Sequence, residues 1–301
     1  MKKLMFAAAA LAAGVAVADV TSANVVGYVN KDTDADNHAM VTPSFANLAK
    51  DAKFTLKDLS VTGYNKSEWI GDMYDGGCFG GDFLLKVLNN DGSIAAEYYW
   101  IDYKAGFDEF VLEEEMGPGW FTYDDVEGAY VQLTDADLAA ATFDQGQSFW
   151  VYGTGKQLVS AGGVTKEDIE FPTDPDNHTA VGNGSPITLT LGDFSVTGYD
   201  KSEWIGDMYD GGCFGGDFLL KILNNDGSIA AEYYWIDYKA GFDEFVLEEE
   251  MGPGWFTYDD VEGVYVELSK ADLAEISIPV GQGFWVYGTS KSLVIPAPEG
   301  L

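Results

Sequence analysis

Hydrophobic and polar residues alternate along much of the chain with a period close to two residues. Apolar side chains occupy every second position at 129–133, at 187–191 and at 264–268. Side chains of a β-strand point alternately to its two faces, so this pattern predicts strands with one buried face. The 36 Gly and 9 Pro interrupt the chain at short intervals, which favours turns between short strands.

A β-hairpin is predicted where two runs of strand-forming residues, 83–89 and 93–103, flank Asn90-Asp91-Gly92. Asp-Gly between apolar runs is a common hairpin signal, because Gly tolerates the positive φ that a tight turn requires. The same hairpin signal recurs in the second half of the chain, at 225–227.

Helical signals after residue 18 are confined to two short segments, 134–140 and 269–273. Each begins with a hydroxyl residue three positions before an Asp, at Thr134 and at Ser269, a spacing typical of helix N-caps. With strands predicted elsewhere, we expect an all-β fold of antiparallel β-sandwich or barrel-like domains.

A long internal repeat divides the chain. Residues 61–128 recur at 196–263 without gaps, and only two of the 68 positions differ. Outside this block the similarity falls, but Gly-Gln-Ser-Phe-Trp-Val-Tyr-Gly-Thr at 146–154 still matches Gly-Gln-Gly-Phe-Trp-Val-Tyr-Gly-Thr at 281–289. A recent duplication copies functional and neutral positions alike. The motifs retained in the diverged flanks therefore indicate better which residues the fold or the function requires.

The repeat predicts two tandem duplicated domains. We assign residues 19–160 to the first β repeat domain and 161–301 to the second, each of ordinary domain size. The boundary is expected at the small residues 160–163. A second retained motif, Asp-x-Asp-Asn-His at 34–38, recurs at 174–178.

Residues 1–18 have the three parts of a secretory signal peptide. Lys2 and Lys3 supply the positive charge, and residues 4–15 form an apolar core too short to span a bilayer. A small-x-small cleavage site ends at Ala18. We therefore predict a secreted protein in the periplasm, at the cell surface or outside the cell. No second long apolar run follows, which predicts no membrane span.

Charge excludes several classes of partner. Of the 301 residues, 50 are acidic and 16 are basic, giving a formal net charge of −34, and every basic residue is Lys. Binding of nucleic acid and of anionic lipid surfaces depends on clustered positive charge, so neither is expected. The absence of Arg also removes the bidentate clamps that hold carboxylate or phosphate substrates.

Two motifs resemble those of known secreted proteins. Ser-Ala-Asn-Val-Val-Gly-Tyr-Val-Asn at 22–30 follows the predicted signal, and Gly-Gln-Gly-Phe-Trp-Val-Tyr-Gly at 281–288 closes the second repeat. Together they resemble a group of uncharacterised secreted β-rich repeat proteins of Verrucomicrobia- and Lentisphaerae-type bacteria. The closing strand is also similar to a Gly-Gln-Gly-Phe element in β-rich surface modules of Bacteroidetes-type bacteria. The resemblance implies export and all-β structure, and it implies no activity.

Carboxylates in loops make calcium the metal to consider, because calcium favours clusters of oxygen ligands. An EF-hand is excluded, since Asn37 and Pro43 stand where the required Gly and the closing Glu would be. The alternatives are Asx-stabilised turns and a solvated acidic surface. No other cofactor is expected. The candidate calcium ligands are Asp34, Asp36, Asp72, Asp75, Asp174, Asp176, Asp207 and Asp210.

Aromatic residues make carbohydrate binding a second hypothesis. In Tyr98-Tyr99-Trp100-Ile101 neighbouring side chains face opposite sides of a strand, so both faces carry aromatic rings. One set is expected in the core, and an exposed set beside carboxylates would hold sugars by stacking. The alternative is a strand covered on both faces. The candidate glycan-stacking residues are Trp69, Trp100, Trp120, Trp204, Trp235 and Trp255.

Catalytic motifs are absent from the sequence. There is no Gly-x-Ser-x-Gly elbow, each repeat has one His, and nothing distinguishes one carboxylate pair among the 50 acids. Cys78 and Cys213 occupy equivalent positions, and either two buried free thiols or a disulfide between the domains is compatible with export.

These observations predict a secreted, non-enzymatic surface or matrix protein, or a binding protein. The alternatives are a carbohydrate-binding module that uses exposed aromatic residues and a calcium-stabilised acidic domain. Glycans or other surface proteins are the expected partners.

Overall fold

A computed structural model describes residues 26–32, 39–44, 53–62, 83–103, 116–153, 157–164, 167–174, 178–198, 218–224, 226–238, 251–288 and 291–298. The predicted signal peptide, Cys78 and Cys213 lie outside these residues. Among the described residues, no helix is both long and apolar enough to cross a membrane.

Strands dominate the described part of the first repeat. They are β1 (Val26–Asp32), β2 (Ala39–Val41), β3 (Phe54–Thr55), β4 (Leu59–Thr62), β5 (Phe83–Leu88), β6 (Ile94–Tyr103), β7 (Met116–Asp124), β8 (Ala129–Gln132), β9 (Thr142–Phe143), β10 (Phe149–Tyr152) and β11 (Gln157–Gly163). A 3-10 turn covers Leu56–Asp58, and a short helix, α1, covers Asp135–Ala140.

The second repeat has the same succession of elements. Its strands are β12 (Ile169–Pro172), β13 (Thr179–Gly182), β14 (Leu189–Thr190), β15 (Ser195–Thr197), β16 (Phe218–Leu223), β17 (Ile229–Tyr238), β18 (Met251–Asp259), β19 (Val264–Glu267), β20 (Ser277–Ile278), β21 (Gly283–Tyr287) and β22 (Ser292–Ile295). A 3-10 turn covers Leu191–Asp193, and helix α2 covers Lys270–Glu275.

The predicted all-β fold is confirmed. Each repeat has a six-stranded sheet, in the order β2-β10-β5-β6-β7-β8 or β13-β21-β16-β17-β18-β19. Each also has a three-stranded sheet, β1-β11-β4 or β12-β22-β15, and a two-stranded one, β3-β9 or β14-β20. Neighbouring strands in these sheets are antiparallel. The expected boundary at 160–163 lies within β11, which pairs with β1 and β4.

One hydrophobic core lies between the six-stranded and three-stranded sheets of each repeat. In the first repeat, Phe83, Leu85 and Phe149 pack with Leu59 and Leu158 from the facing sheet. Burying such a side chain stabilises the fold by about 1.5–3 kcal/mol. The packing of these side chains therefore holds the two sheets of the sandwich together. The equivalent core of the second repeat includes Phe218, Leu220, Phe284, Phe194 and Leu293.

The predicted hairpin is present as β5 and β6. Gly92 has a φ of 80° at its turn, and the Asp91 carboxylate accepts hydrogen bonds from the backbone N and the Oγ of Ser93. These bonds hold the pKa of Asp91 below its usual value, because they favour the charged form.

In the edge strands, the burial of side chains differs from the predicted pattern of buried apolar and exposed polar residues. Val264 and Val266 are exposed in β19, whereas Tyr265 between them packs on Tyr234 with ring centroids 5.1 Å apart. Ile187, the first apolar residue of the 187–191 run, is also exposed and precedes β14. Alternation indicates a strand, but the neighbouring elements decide which of its faces is buried.

The two predicted helix caps are confirmed. The Thr134 Oγ1 accepts from the backbone N of Asp137, and the backbone N of Thr134 donates to the Asp137 carboxylate at 2.8 Å. Ser269 and Asp272 make the same reciprocal bonds at α2. The hydrogen bonds from Thr134 hold the pKa of Asp137 below its usual value.

Replacing Thr134 with Ala removes this cap and is expected to lower the free energy of unfolding by about 1 kcal/mol. Urea denaturation measures the change. Thr134→Ser is the control, because it keeps the hydroxyl and should lose less than half as much. Equal losses in the two variants would show that the hydroxyl does not act as a cap.

The two repeats meet in a closed ring of four strand segments. β2 pairs with β10 on one side, and on its other side Val41 pairs with Gln282 just before β21. β13 pairs with β21, and Val181 pairs with Gln147 just before β10. The Gly-Gln-x-Phe-Trp-Val-Tyr-Gly motif of each repeat (146–153 and 281–288), which we call the closing motif, thus pairs with the edge strand of the other repeat. The order β10–β2–β21–β13 returns to β10, so β2 and β13 are not open sheet edges.

Equivalent backbone hydrogen bonds close this four-strand ring in both directions. Thr42 N donates to Gly281 O, and the equivalent Gly182 N donates to Gly146 O, each at 3.0 Å. Because the two repeats exchange the same bonds, the junction is close to twofold symmetric. The retained Gly-Gln motif thus belongs to the contact between the repeats.

Small side chains fill the inside of the ring. Thr42 and Ser148 are buried there, with their Oγ atoms 2.5 Å apart. A Cβ on Gly182 would overlap Thr42 Oγ1, and a Cβ on Gly283 would overlap Met40 and lie 2.9 Å from Ser148 Oγ. Side chains of the first repeat therefore lie against the backbone of the second repeat across the ring, and Gly182 and Gly283 have no room for a Cβ.

Candidate functional site

The six-stranded sheets carry a second face that points away from the sandwich core, which we call the distal face. Within β10, Phe149 and Val151 are buried in the core, so Trp150 and Tyr152 point to the distal face and are half-buried. In β21, Trp285 and Tyr287 occupy the equivalent places. The Phe-Trp-Val-Tyr alternation thus positions two aromatic rings on this face in each repeat.

An ion pair lies beside these rings. Trp150 pairs across the sheet with Lys86, which in turn pairs with Glu97, so their side chains share the distal face. The Lys86 Nζ is 3.9 Å from Glu97 Oε1, and the Tyr99 hydroxyl donates to Glu97 Oε2 at 3.0 Å. The half-buried carboxylate is therefore held in place between an ammonium group and a phenol.

The second repeat has the same arrangement, and here His178 also lies within the described residues, whereas the equivalent His38 does not. The Lys221 Nζ is 3.5 Å from Glu232 Oε1. The His178 ring packs against Trp285 and Tyr287, with centroids 6.2 and 5.3 Å apart. Its Nε2 atom is buried and has no hydrogen-bond partner among the described residues.

The surroundings of His178 favour the neutral form of its imidazole. Burial lowers its pKa first, and the positive charge of Lys221 lowers it further, against an opposing effect of Glu232. A neutral imidazole accepts a hydrogen bond on one nitrogen and donates from the other, which suits a hydroxyl partner.

Tyrosine rings extend the distal face toward β8 and β19. Tyr99, Tyr130 and Tyr123 follow one another with edge-to-face contacts and centroids 5.1 Å apart. Tyr123 is 42% exposed, and the equivalent Tyr258 is 41% exposed. Between the ion pair and the exposed phenol, the face carries a second buried cluster, which consists of Leu84, Tyr99, Ile101 and Phe121 in the first repeat.

The structure corrects the predicted glycan-stacking set. Trp120 is 3% exposed and Trp255 is 2% exposed, both within the cores, so neither ring is open to a sugar. Their indole N–H groups donate to the backbone oxygens of Leu59 and Phe194.

Trp100 and Trp235 also lie on the core side. Each is half-buried and packs edge-to-face on the buried Trp of its own repeat, with centroids 5.3 and 5.4 Å apart. Both rings therefore lie at the margin of the core, and a stacking role for these two residues stays a prediction. Trp69 and Trp204 lie outside the described residues.

The aromatic residues of the distal face were missed as candidate sites. The signal was present in the closing motif, where Phe149 and Val151 alternate with Trp150 and Tyr152. A motif retained outside the duplicated block, with apolar residues on one face and Trp and Tyr on the other, indicates a ring pair outside the core.

One predicted calcium ligand lies within the described residues. Asp174 accepts a hydrogen bond from Asn90 Nδ2 at 3.0 Å, a contact between the repeats. Asp34, Asp36, Asp72, Asp75, Asp176, Asp207 and Asp210 lie outside the described residues, so calcium binding stays a prediction. In the part of the chain that the structure describes, no three His, Cys, Asp or Glu side chains form a metal-binding group.

Two aromatic rings beside a fixed carboxylate, an ammonium group and an imidazole form a surface that suits a polyhydroxylated ligand. Rings contact the apolar faces of sugars, and the polar groups exchange hydrogen bonds with hydroxyls. Comparisons with protein-family models, curated proteins and solved structures find no match for this chain. The chemistry of the distal face is therefore the basis for inferring its function.

Proposed function

We propose that this chain is an exported, non-enzymatic surface or matrix protein that binds neutral polysaccharide on its distal faces. The observation that carries the proposal is the cluster of Trp285, Tyr287 and His178 around the Lys221–Glu232 pair. The first repeat supports it with Trp150 and its neighbours on an equivalent face.

Charge selects the class of polysaccharide. The formal net charge of −34 repels uronic acids and sulfated sugars, and the chain contains no Arg to pair with their anionic groups. Neutral sugars present only hydroxyls and apolar ring faces, which match the indole rings and the Glu232 carboxylate. We therefore expect neutral chains to bind and anionic chains to bind weakly.

The test is isothermal titration of the full chain with soluble gluco-, xylo- and mannan polysaccharides and with a uronic acid polymer. The double variant Trp150→Ala/Trp285→Ala should weaken binding of a neutral polysaccharide by at least about 30-fold, the usual effect of removing an aromatic anchor. Val126→Ala/Val261→Ala is the control, because both valines are 90% exposed in hairpins away from this cluster. Failure of every neutral polysaccharide to bind would overturn the proposal.

The non-enzymatic part of the proposal has its own test. The same polysaccharides are incubated with the full chain, and released reducing ends are measured. We expect no turnover. Turnover that disappears in one carboxylate-to-amide variant, such as Glu232→Gln, would show that the chain is a hydrolase.

A further inference from the structure

We infer that the four-strand ring makes the pairing of repeats selective: a first repeat pairs there with a second repeat and excludes another first repeat. The backbone of the ring does not distinguish the repeats, because both exchange equivalent hydrogen bonds. The selectivity comes from side-chain size at three equivalent positions. The residues at these positions are Met40, Thr42 and Ser148 in the first repeat and Ala180, Gly182 and Gly283 in the second.

The first of these positions is the single difference between the two closing motifs, Ser148 in one and Gly283 in the other. A Cβ on Gly283 would overlap Met40 Cγ and lie 2.9 Å from Ser148 Oγ, and both atoms belong to the first repeat. The φ of Gly283 is not in the left-handed region, so its own backbone accepts other residues. The contact with the first repeat is therefore what requires Gly at this position.

The second position is occupied by Thr42 and Gly182. A Cβ on Gly182 would overlap Thr42 Oγ1 and also the backbone O of Gln282, which lies on the neighbouring strand of its own repeat. The corresponding strands of the first repeat hold two buried hydroxyl side chains, since the Oγ atoms of Thr42 and Ser148 are 2.5 Å apart. The first repeat therefore fills the inside of the ring, and the second repeat supplies the space.

The third position is occupied by Met40 and Ala180, which are both buried. The Met40 side chain reaches across the ring to Gly283. Ala180 takes the equivalent place beside the first repeat, because its backbone O accepts a hydrogen bond from Ser148 N at 3.1 Å. A longer side chain at position 180 would enter an interior that Ser148 and Thr42 already fill.

These size differences determine which repeats can meet. Two first repeats would bring a second set of large side chains into the filled ring, and two second repeats would leave a cavity there. All three positions lie outside the near-identical segments 61–128 and 196–263. The repeats thus share most of their sheets and differ where they touch, which is how a protein distinguishes similar partners. A second copy of the chain can therefore join through this surface only head to tail, first repeat against second.

Amide hydrogen exchange in the full chain tests this selectivity. The N–H groups of Thr42 and Ser148 donate across the junction, to Gly281 O and Ala180 O. Their exchange with solvent therefore reports how often the ring opens.

Gly283→Ser makes the closing motifs identical and should speed exchange of these two amides at least about 10-fold, because a side chain is forced into filled space. Gly254→Ser is the matched control in β18, where a Cβ would lie 3.3 Å from the flexible end of Glu267. We expect it to leave the ring amides within about 2-fold. Leu133 N–H, which donates to Trp120 O, should stay within about 2-fold in both variants, because it reports the first repeat itself. Equal ring exchange in the two variants would overturn the inference.

A chain with the three pairs exchanged gives a second test. It contains the same six side chains in the ring, with the roles of the repeats reversed, so its ring amides should exchange within about 5-fold of the original rate. Exchange as fast as in Gly283→Ser would show that complementary size does not govern pairing. The substitutions are Met40→Ala, Thr42→Gly, Ser148→Gly, Ala180→Met, Gly182→Thr and Gly283→Ser.

Analytical ultracentrifugation tests pairing between copies. The variant Ala180→Met/Gly182→Thr/Gly283→Ser carries the first repeat's residues on both sides of the ring. We expect no species of this variant, monomer or dimer, in which the Thr42 and Ser148 amides regain the protection of the original chain. A dimer with that protection would show that two surfaces of the first-repeat type accept each other, and it would overturn the inference.

Discussion

Replacing Trp120 with Ala is expected to lower the free energy of unfolding by about 3–5 kcal/mol while leaving polysaccharide binding unchanged. The ring is buried between the sheets and packs edge-to-face on Phe83 and Trp100, with centroids 6.1 and 5.3 Å away. Its indole N–H donates to the backbone oxygen of Leu59 at 3.1 Å. Removal leaves a cavity in the core and eliminates this hydrogen bond.

Urea denaturation, followed by tryptophan fluorescence and by far-ultraviolet circular dichroism, measures this loss. Val126→Ala is the control, since that side chain is 90% exposed and its removal should change stability by less than about 0.5 kcal/mol. Trp120→Ala could instead leave the unfolding midpoint unchanged and weaken the binding of neutral polysaccharide. That result would place Trp120 on the ligand-binding face and contradict its position in the sandwich core.

Replacing Gly146 with Ala is expected to have the second large effect, because it disturbs the contact between the repeats. Gly146 has a φ of 76°, where L-residues are strained, and a Cβ there would overlap the buried ring of Phe171 from the second repeat. Backbone strain costs about 1–2 kcal/mol. The forced shift of a packed ring adds about 1–3 kcal/mol.

Gly92→Ala is the matched control for this variant. Gly92 has a φ of 80°, but a Cβ there would meet no atom within 4 Å. Both variants share the backbone strain, so the difference between their free energies of unfolding reports the contact with Phe171 alone. We expect Gly146→Ala to lose about 1–3 kcal/mol more than Gly92→Ala. Equal losses would mean that the second repeat does not pack on the closing motif of the first.

Local features of the fold could be predicted from the sequence because their causes are local. The β5–β6 hairpin follows from an Asp-Gly turn between apolar runs, and the caps of α1 and α2 follow from a hydroxyl three residues before an Asp. Each depends on hydrogen bonds or dihedral angles within about four residues. The all-β fold follows in the same way from a period of two repeated over many short segments.

The candidate site could be predicted only as far as its residue types. Alternation shows that Trp150 and Tyr152 share one face of a strand and that Phe149 and Val151 share the other. It equally shows that Trp100 and Trp120 belong to one face of their sheet. The period of two residues does not show which face of the six-stranded sheet is covered by the three-stranded sheet. The glycan-stacking prediction took the covered face for the exposed one and therefore included tryptophans of the core.

The sequence by itself determined the strands, the turns, the caps, the acidic charge and the near-identity of residues 61–128 with 196–263, because all of these are properties of neighbouring residues or of residues compared in register. Only the tertiary structure decided that Gln147 pairs with Val181 and Gln282 with Val41, so that each closing motif meets the edge strand of the other repeat. Pairing between distant segments depends on how whole sheets pack and close, and a strand carries the same alternation whichever partner it finds.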